Sequence, residues 1–401
     1  MIIELHGAGF HNKGAEMMLR TTIAELSNRL PTAQFAIDPS YGAYSKRANL
    51  GLYQLFPLRT HVGTPFFNFR FWPQKIFSLF FSDKVFKLIF GQFPLSLGIV
   101  NLSKIDALID ISGFAYSDQW GSKTIRDFAR LVDFYTSRKK PVILLPQAFG
   151  PFQEELSIKS FRFIIDNVSL VYARDTLSFE NIRTISEKEN TYKAPDITLF
   201  YPEPRHGKSS DPSSNYVCAI PNYRMIDQAK NEWGSKYENF MAKGAEKILS
   251  SGYDLKILVH DTSGEDLPLA KRILEKLNSQ NVQLVIDDDP LTLKQVIGAS
   301  SFIVGSRYHS LIAAISYAVP AIGIGWSHKY KMLFEDFGCD DLFIEDDTPL
   351  STFLGKIESL MDPENNERYR NRISELQEYA HEKNLKMWAQ VTQVLETSPG
   401  V

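Results

Sequence analysis

Arg307 and His309 lie two residues apart in the segment 305–310 (Gly-Ser-Arg-Tyr-His-Ser), and their types suit chemistry on an anionic substrate. Arginine is a fixed cation with a planar fork of donors. Histidine gains and loses a proton near neutral pH, so it can act as a general acid. Together, two such side chains can bind an anion and supply it with a proton.

The residues around this segment predict the elements that position it. The run 301–304 predicts a short buried strand, 311–318 predicts a helix, and Pro320 ends that helix before a strand at 321–324. The arginine and the histidine therefore lie where a strand is followed by a helix. In an open α/β sheet, ligands bind at that edge, where the N–H groups of a helix N-terminus also attract anions.

Strand and helix patterns alternate along both halves of the 401-residue chain, on either side of residues 203–214, which are rich in Pro, Ser and Gly. We interpret this segment as a linker. Two β-α-β repeats predict an α/β protein with two Rossmann-like, doubly wound domains that face a cleft. The predicted division is 1–202 and 215–364, followed by a C-terminal helix over 365–401 that packs back across the first domain.

Composition narrows the function classes. With a formal net charge of −3 and no basic tract, we expect no nucleic-acid partner. Cys218 and Cys339 are far apart in the sequence, which predicts reduced thiols in a cytoplasmic protein. The sequence starts directly with a strand pattern and contains no long apolar stretch. We therefore expect neither a signal peptide nor a transmembrane helix.

Five further short motifs precede 305–310, in this order: 7–16 (Gly-Ala-Gly-Phe-His-Asn-Lys-Gly-Ala-Glu), 111–114 (Ile-Ser-Gly-Phe), 145–152 (Leu-Pro-Gln-Ala-Phe-Gly-Pro-Phe), 173–178 (Ala-Arg-Asp-Thr-Leu-Ser) and 194–197 (Ala-Pro-Asp-Ile). Together the six motifs resemble those of the polysaccharide pyruvyltransferase family and span nearly the whole chain. Ser112 departs from the pattern, because the family usually has glycine there. The resemblance implies a GT-B-like fold.

The resemblance also implies a reaction. The family moves pyruvate from phosphoenolpyruvate onto two hydroxyls of a sugar, forms a cyclic ketal and releases phosphate, without a cofactor. In this chain His309 would protonate the methylene carbon, and Arg307 would hold the carboxylate or the phosphate. Arg224 would help to bind the donor phosphate, and Ser306 and Ser310 are assigned to the same donor group. The alternative for Arg307 is a surface salt bridge to a nearby Asp or Glu. The alternative for Arg224 is an exposed position in a loop.

On the acceptor side, the resemblance points to a sugar of a cell-surface polysaccharide or of its lipid-linked precursor. Five residues of the first domain are assigned to this acceptor: His11, Asn12, Lys13, Gly113 and Gln147. Two alternatives stay open. Asn12 is equally suited to cap the following helix, and Gln147 to brace its own loop.

Two acidic motifs have simpler explanations than chemistry. The carboxylates at 287–289 precede Pro290, which is typical of a solvated N-cap with proline at the first helical position. We assign no metal to them. Asp175 is placed to cap the helix that follows it, and Arg174 is placed to pair with that carboxylate, so we expect both to be structural.

The segment 64–94 is rich in phenylalanine, and its basic residues outnumber Asp83. We expect an insertion packed on the first domain. The alternative is an interfacial element that contacts the membrane peripherally at its inner face, which a lipid-carried acceptor would favour.

Two other functions fit the same pattern. A glycosyltransferase of this fold would use a nucleotide sugar, with Arg307 at the diphosphate. A non-catalytic carbohydrate-binding protein would retain its function without His309. Titration with nucleotide sugars separates the first from pyruvyl transfer, and replacement of His309 separates the second.

Overall fold

The computed structural model describes residues 1–56 apart from 8 and 11, 98–201, 215–227, and 233–397 apart from 263 and 278. The Phe-rich segment 64–94 and the linker 203–214 lie outside these described residues. Within the described part of the chain, every helix is too short or too polar to span a lipid bilayer.

The first domain is built on an eight-stranded parallel sheet. Its strands are β1 (Ile2–His6), β2 (Gln34–Ile37), β3 (Tyr53–Phe56), β4 (Ile99–Asn101), β5 (Ala107–Asp110), β6 (Val142–Gln147), β7 (Leu170–Ala173) and β8 (Thr191–Lys193). Their order in the sheet is β4-β3-β2-β1-β5-β6-β7-β8. The helices are α1 (Lys13–Arg29), α2 (Tyr44–Asn49), α3 (Ser122–Thr136), α4 (Glu155–Asn167) and α5 (Thr176–Arg183).

The second domain repeats this architecture with six parallel strands, in the order β11-β10-β9-β12-β13-β14. The strands are β9 (Tyr216–Ile220), β10 (Asp254–Val259), β11 (Val282–Ile286), β12 (Ile303–Gly305), β13 (Ala321–Ile324) and β14 (Phe343–Ile344). The helices are α6 (Arg224–Asp227), α7 (Trp233–Ser250), α8 (Asp266–Glu275), α9 (Pro290–Gly298), α10 (Tyr308–Ser316), α11 (His328–Asp336), α12 (Leu350–Met361) and α13 (Pro363–Thr397). The prediction of two doubly wound domains is confirmed.

Both sheets place their site loops at a topological switch point. Strand order reverses between β1 and β5 in the first sheet, and between β9 and β12 in the second. Crossovers on opposite faces diverge there, which opens a crevice at the carboxyl ends of the strands. The motifs at 7–16, 111–114 and 305–310 follow β1, β5 and β12, so the fold directs all three toward the cleft.

Within the described ranges, three basic side chains donate hydrogen bonds from one domain to the other. They are Lys13, whose Nζ donates to the carbonyl of Asp288 (2.7 Å), Arg20, which pairs with Asp289 (2.9 Å), and Lys294, whose Nζ donates to the carbonyls of Thr198 and Tyr201 (both 2.7 Å). Asp289 also caps α9 by accepting from the N–H of Leu291. These contacts fix how the two crevices face each other.

Helix α13 belongs to both hydrophobic cores. Tyr369 and Ile373 pack in the core of the second domain, whereas Trp388, Val391 and Leu395 are buried in that of the first. Helix α13 thus returns across the first domain.

Candidate active site

The facing crevices enclose one cavity of about 270 Å³. The first domain contributes Asn12, Gly113 and Arg174 to its lining, among others. Arg307 and His309 are among the lining residues from the second domain. The structure therefore brings strand-end residues of both domains to one site.

His309 lies in the first turn of α10, and its ring rests against the backbone of Gly14 in the other domain. A Cβ at Gly14 would overlap the Nδ1 and Cγ positions of the imidazole, so only glycine leaves room for this ring. Nε2 lies 3.7 Å from Oδ2 of Asp196 and makes no hydrogen bond to any residue that the structure describes. Burial lowers the pKa of His309 to about 4, against the smaller opposing effect of Asp196.

Asp196 is the carboxylate that holds this part of the site together. It accepts from the backbone N–H and the hydroxyl of Thr198 (3.0 and 2.7 Å) and from Nη1 of Arg174 (3.1 Å). Burial alone would raise the pKa of Asp196, but His309 and Arg174 together hold it below its ordinary value. The expected role of Asp175 as a cap is observed, since it accepts from the N–H of Ser178.

The sequence suggested that Arg174 is structural and pairs with Asp175. In the structure it pairs with Asp196 instead, stacks 4.0 Å above the ring of Tyr308 and lines the cavity. Its side chain is 2% exposed, and its Nε has no hydrogen-bond partner among the described residues. Arg174 therefore contributes a positive charge to the cavity lining, and its ion pair with Asp196 also has a structural role.

Arg307 is held by two acidic residues behind it. Its Nε donates to Oδ2 of the fully buried Asp266 (2.7 Å), and Nη2 lies 2.6 Å from Oδ1 of the same carboxylate and 3.5 Å from Asp261. Asp266 also accepts from the N–H of Tyr223, in the loop after β9. Because Asp266 occupies the edge of the guanidinium formed by Nε and Nη2, Nη1 is the nitrogen of Arg307 that remains for a ligand.

Arg224 lines the same cavity from the start of α6. Its side chain is about half exposed and pairs with Asp227 at 2.7 Å. Its N–H donates to the side chain of Asn222, whose amide in turn donates to the carbonyl of Ser306 (2.7 Å). The loops after β9 and β12 are thereby joined just behind the two arginines.

The two serines assigned to the donor do not reach the cavity. Both are fully buried. The hydroxyl of Ser306 accepts from Tyr237 (2.7 Å), and that of Ser310 donates to the carbonyl of Arg307 (2.7 Å). In this structure they shape the strand-end loop instead of facing a ligand.

Some of the residues assigned to the acceptor also line the cavity, and others do not. Asn12 and Gly113 line the cavity, and Asn12 also caps α1 by accepting from the N–H of Gly14 (2.9 Å). Lys13 is 1% exposed and points to Asp288 rather than to the cavity. Gln147 is fully buried and donates to Asp110 (2.6 Å), which matches the bracing alternative. His11 lies outside the described residues.

Sequence reasoning did not identify several residues of the cavity, among them Trp326 and Lys329, whereas His260, which ends a strand of the second domain, was expected either to reach the cleft or to cap the following helix. Trp326 and Lys329 follow β13, which lies next to β12 in the sheet. The strand-end rule that selected Arg307 could therefore have found them too. Among the described residues, no group of three or more His, Cys, Asp or Glu is placed to hold a metal ion.

Arg307→Lys should weaken the binding of an anionic ligand by roughly tenfold or more, because an ammonium keeps the charge but cannot bridge both oxygens of Asp266. Arg224→Lys is the matched control, since Arg224 makes a single half-exposed ion pair and should lose less. Calorimetric titration with phosphoenolpyruvate measures both. Equal affinities of wild type and Arg307→Lys would contradict this account.

Residues 12–328 match the family model described as polysaccharide pyruvyl transferase. The chain is also 20% identical over 260 residues to the amylovoran biosynthesis protein AmsJ of Erwinia amylovora, an alignment that covers 60% of this chain and 61% of AmsJ. The chain thus spans less than two thirds of that curated relative.

Two solved structures are similar in fold. Anabaena Alr3699/HepE, in complex with UDP and glucose, has a TM-score of 0.54 at 12% identity and covers 99% of each chain. UDP-GlcNAc 2-epimerase from Neisseria meningitidis has a TM-score of 0.54 at 13% identity, covering 96% of this chain and 100% of the epimerase. At such identities the likeness concerns the fold alone, and it confirms the GT-B-like architecture. The family match covers well over half of the sequence, and this chain belongs to the polysaccharide pyruvyl transferase family.

Proposed function

We propose that this protein transfers the pyruvyl group of phosphoenolpyruvate to two hydroxyls of one sugar residue, forming a cyclic ketal and releasing phosphate. The observation that carries the proposal is the meeting of Arg224, Arg307 and His309 with Asn12 and Gly113 around one cavity. The N-termini of α10 and α11 reach the same cavity, and neither has a side-chain cap. Uncapped helix N-termini and cations together favour a donor with two anionic groups.

The reaction proceeds in two additions. The first sugar hydroxyl attacks C2 of phosphoenolpyruvate while the protonated His309 gives its proton to the methylene carbon, and the proton that this hydroxyl loses returns to the neutral imidazole. The C2–O bond to phosphate then breaks, and the resulting cationic centre at C2 is attacked by the second hydroxyl. The proton of that hydroxyl leaves with the phosphate. The arginines stabilise the carboxylate and the departing phosphate in this scheme, which needs no cofactor.

His309 must carry a proton for the first addition, although burial lowers its pKa to about 4. Phosphoenolpyruvate brings a carboxylate and a phosphate close to the ring, and nearby negative charge raises the pKa of a histidine. Binding of the donor therefore favours the protonated form of His309, which is the form that can act as the acid. Without the donor, His309 stays neutral near pH 7 and cannot protonate other ligands.

For the acceptor, we propose a sugar of a polysaccharide or of its lipid-linked precursor, placed on the side of Asn12 and Gly113. We place the reaction in the cytoplasm, at the inner face of the membrane where the acceptor is lipid-linked. Cys218 and Cys339 are both buried free thiols, which is in keeping with a reducing compartment.

Release of phosphate from phosphoenolpyruvate, measured against a panel of sugar acceptors, tests this function. We expect release to depend on an acceptor with two hydroxyls that a single carbon can bridge, and the product to gain a pyruvyl ketal. A parallel titration with nucleotide sugars addresses glycosyl transfer. Tight nucleotide-sugar binding, together with no acceptor-dependent phosphate release, would overturn the proposal.

A further inference from the structure

A second, larger cavity lies in the first domain, next to the cavity of the candidate active site. Its volume is about 580 Å³, which is within the range of ligand pockets, roughly 300–1,000 Å³. Its lining comes from the end of β1, the loops after β2 and β5, and helix α3. Asn12 and Gly113, the residues placed beside the acceptor, do not line it. The reaction described above therefore makes no use of this cavity.

The charges around this second cavity are balanced. Asp38 and Asp127 are the carboxylates among its described lining residues, and Lys123 and Arg130 are the cations. Burial lowers the pKa of His6, which also lines the cavity, so this ring is neutral near pH 7. In the active-site cavity, by contrast, arginine and lysine side chains outnumber carboxylates in the described lining. The second cavity is thus suited to an uncharged ligand, and the active-site cavity to an anion.

Asp38 offers this cavity a hydrogen-bond acceptor that the described residues leave unused. The residue is only 5% exposed, and its Oδ1 accepts from the backbone N–H and the hydroxyl of Ser40 (2.9 and 2.6 Å). Its Oδ2 makes no hydrogen bond to any described residue. Because buried carboxylate oxygens normally have partners, this one indicates a ligand that can donate, such as a hydroxyl group.

Aromatic rings stacked on one another form another part of the lining. The ring of Phe128 lies between those of His6 and Tyr116, with ring centres 5.2 and 4.9 Å away. The hydroxyl of Tyr41 lies 3.1 Å from Nδ1 of His6. A sugar has hydroxyl groups around its edge and C–H groups on its faces. A pocket of aromatic rings with a few polar groups matches both parts of such a ligand.

Ser112 lines both cavities and lies at the boundary between them. Its hydroxyl donates to Asp110 (2.6 Å), and its side chain packs against the backbone of Gly7, where a Cβ would overlap it. Gly113, the next residue, lines the active-site cavity on the acceptor side. A saccharide chain bound beside Gly113 therefore reaches the second cavity by crossing Ser112.

We propose that the second cavity is a subsite for the sugar next to the reacting residue of the acceptor, and that it selects an uncharged saccharide of at least two residues. The reacting residue must lie at the donor in the active-site cavity, so the rest of the saccharide has to extend away from it. The cavity across Ser112 provides the room on the acceptor side. This assignment rests on the proposed function, because the position of the reacting sugar determines that of its neighbour.

Calorimetric titration without the donor tests the subsite. The probes are the methyl glycosides of glucose, galactose and mannose, and the disaccharides cellobiose, galactobiose and mannobiose. For at least one of these sugars, the disaccharide should bind wild type roughly tenfold or more tightly than the methyl glycoside. Asp127→Trp should abolish this gain and leave the methyl glycoside unaffected, because the indole fills the cavity from the exposed side of α3.

Asp133→Trp is the matched control for the filled cavity. Asp133 is an exposed aspartate of the same helix and does not line the cavity, so this variant should keep the full disaccharide gain. Thr124→Trp, also on the exposed side of α3, serves if Asp127→Trp does not fold.

Asp38→Asn tests the polar part of the subsite. The amide oxygen can still accept from Ser40, but the amide nitrogen donates where the carboxylate accepted. Disaccharide affinity should fall roughly tenfold. Three results would overturn the subsite: disaccharides that bind no better than methyl glycosides across the panel, no disaccharide binding at millimolar concentration, or a full disaccharide gain in a folded variant with tryptophan at 127 or 124.

The two proposals can fail separately. A disaccharide gain that Asp127→Trp abolishes, without acceptor-dependent phosphate release from phosphoenolpyruvate, would keep the subsite and reject pyruvyl transfer. Turnover of phosphoenolpyruvate with the same KM for methyl glycosides and disaccharides would keep the function and reject the subsite.

Discussion

His309→Ala should lower turnover of phosphoenolpyruvate by about two to four orders of magnitude, the scale expected when a general acid is lost. The ring is the titratable donor in the first turn of α10, and its Nε2 has no hydrogen-bond partner in the described part of the chain. The proton that reaches the methylene carbon must then come from water. Single-turnover measurement of phosphate release with a saturating acceptor gives the size of the loss.

The pH dependence separates an acid from a residue that only maintains the fold. Because the acid must be protonated, kcat should fall as pH rises through the pKa of His309 in the donor complex, and this limb should be missing in His309→Ala. His381→Ala is a suitable control, since His381 lies on α13 against Phe200, away from the cavity. Near wild-type turnover in a folded His309→Ala protein would reject the catalytic role.

Gly14→Ala should lower turnover by roughly a hundredfold while leaving the fold intact. The added methyl would overlap the His309 imidazole, so the ring must move by an ångström or more, and displacements of this size are costly to catalysis. In a helix, alanine is otherwise favoured over glycine by up to about 1 kcal/mol. We therefore expect little change in thermal unfolding. Turnover and melting temperature, measured on the same preparation, test both parts.

Gly355→Ala is the matched control for this substitution. Gly355 lies within helix α12, and a Cβ there would meet no atom within 4 Å. This variant should keep its activity and become slightly more stable. If Gly14→Ala kept full activity, the close contact between Gly14 and the ring would have no role in placing it.

Much of the fold and the location of the site could be predicted from the sequence. Periodic apolar patterns identified most strands, and parallel strands end at a common edge, so Arg307, His309 and Arg224 could be placed on one crevice. Four strands were missed, β3, β4, β8 and β14. None has more than four residues, so few alternations are available to make a period visible.

Side-chain direction could not be predicted in the same way. Lys13 sits in a motif beside the cavity, but the carbonyl that it binds belongs to Asp288, 275 positions later. Ser306 and Gln147 likewise turn to partners that only the folded chain brings near, Tyr237 and Asp110. The directions of these side chains depend on hydrogen bonds to residues that are distant in the sequence. The position of a motif at the end of a strand depends only on the sequence next to it.

Helix α13 sets a condition on how the chain folds during synthesis. The first domain cannot complete its core until Trp388, Val391 and Leu395 have left the ribosome, although its last strand is made long before. Domains usually fold in order of synthesis, starting at the N-terminus. Here the second domain can fold first. The apolar surface of the first domain that α13 covers stays exposed to solvent until α13 has been made. Pausing of the ribosome while α13 is being made would prolong that exposure and increase the demand for chaperones.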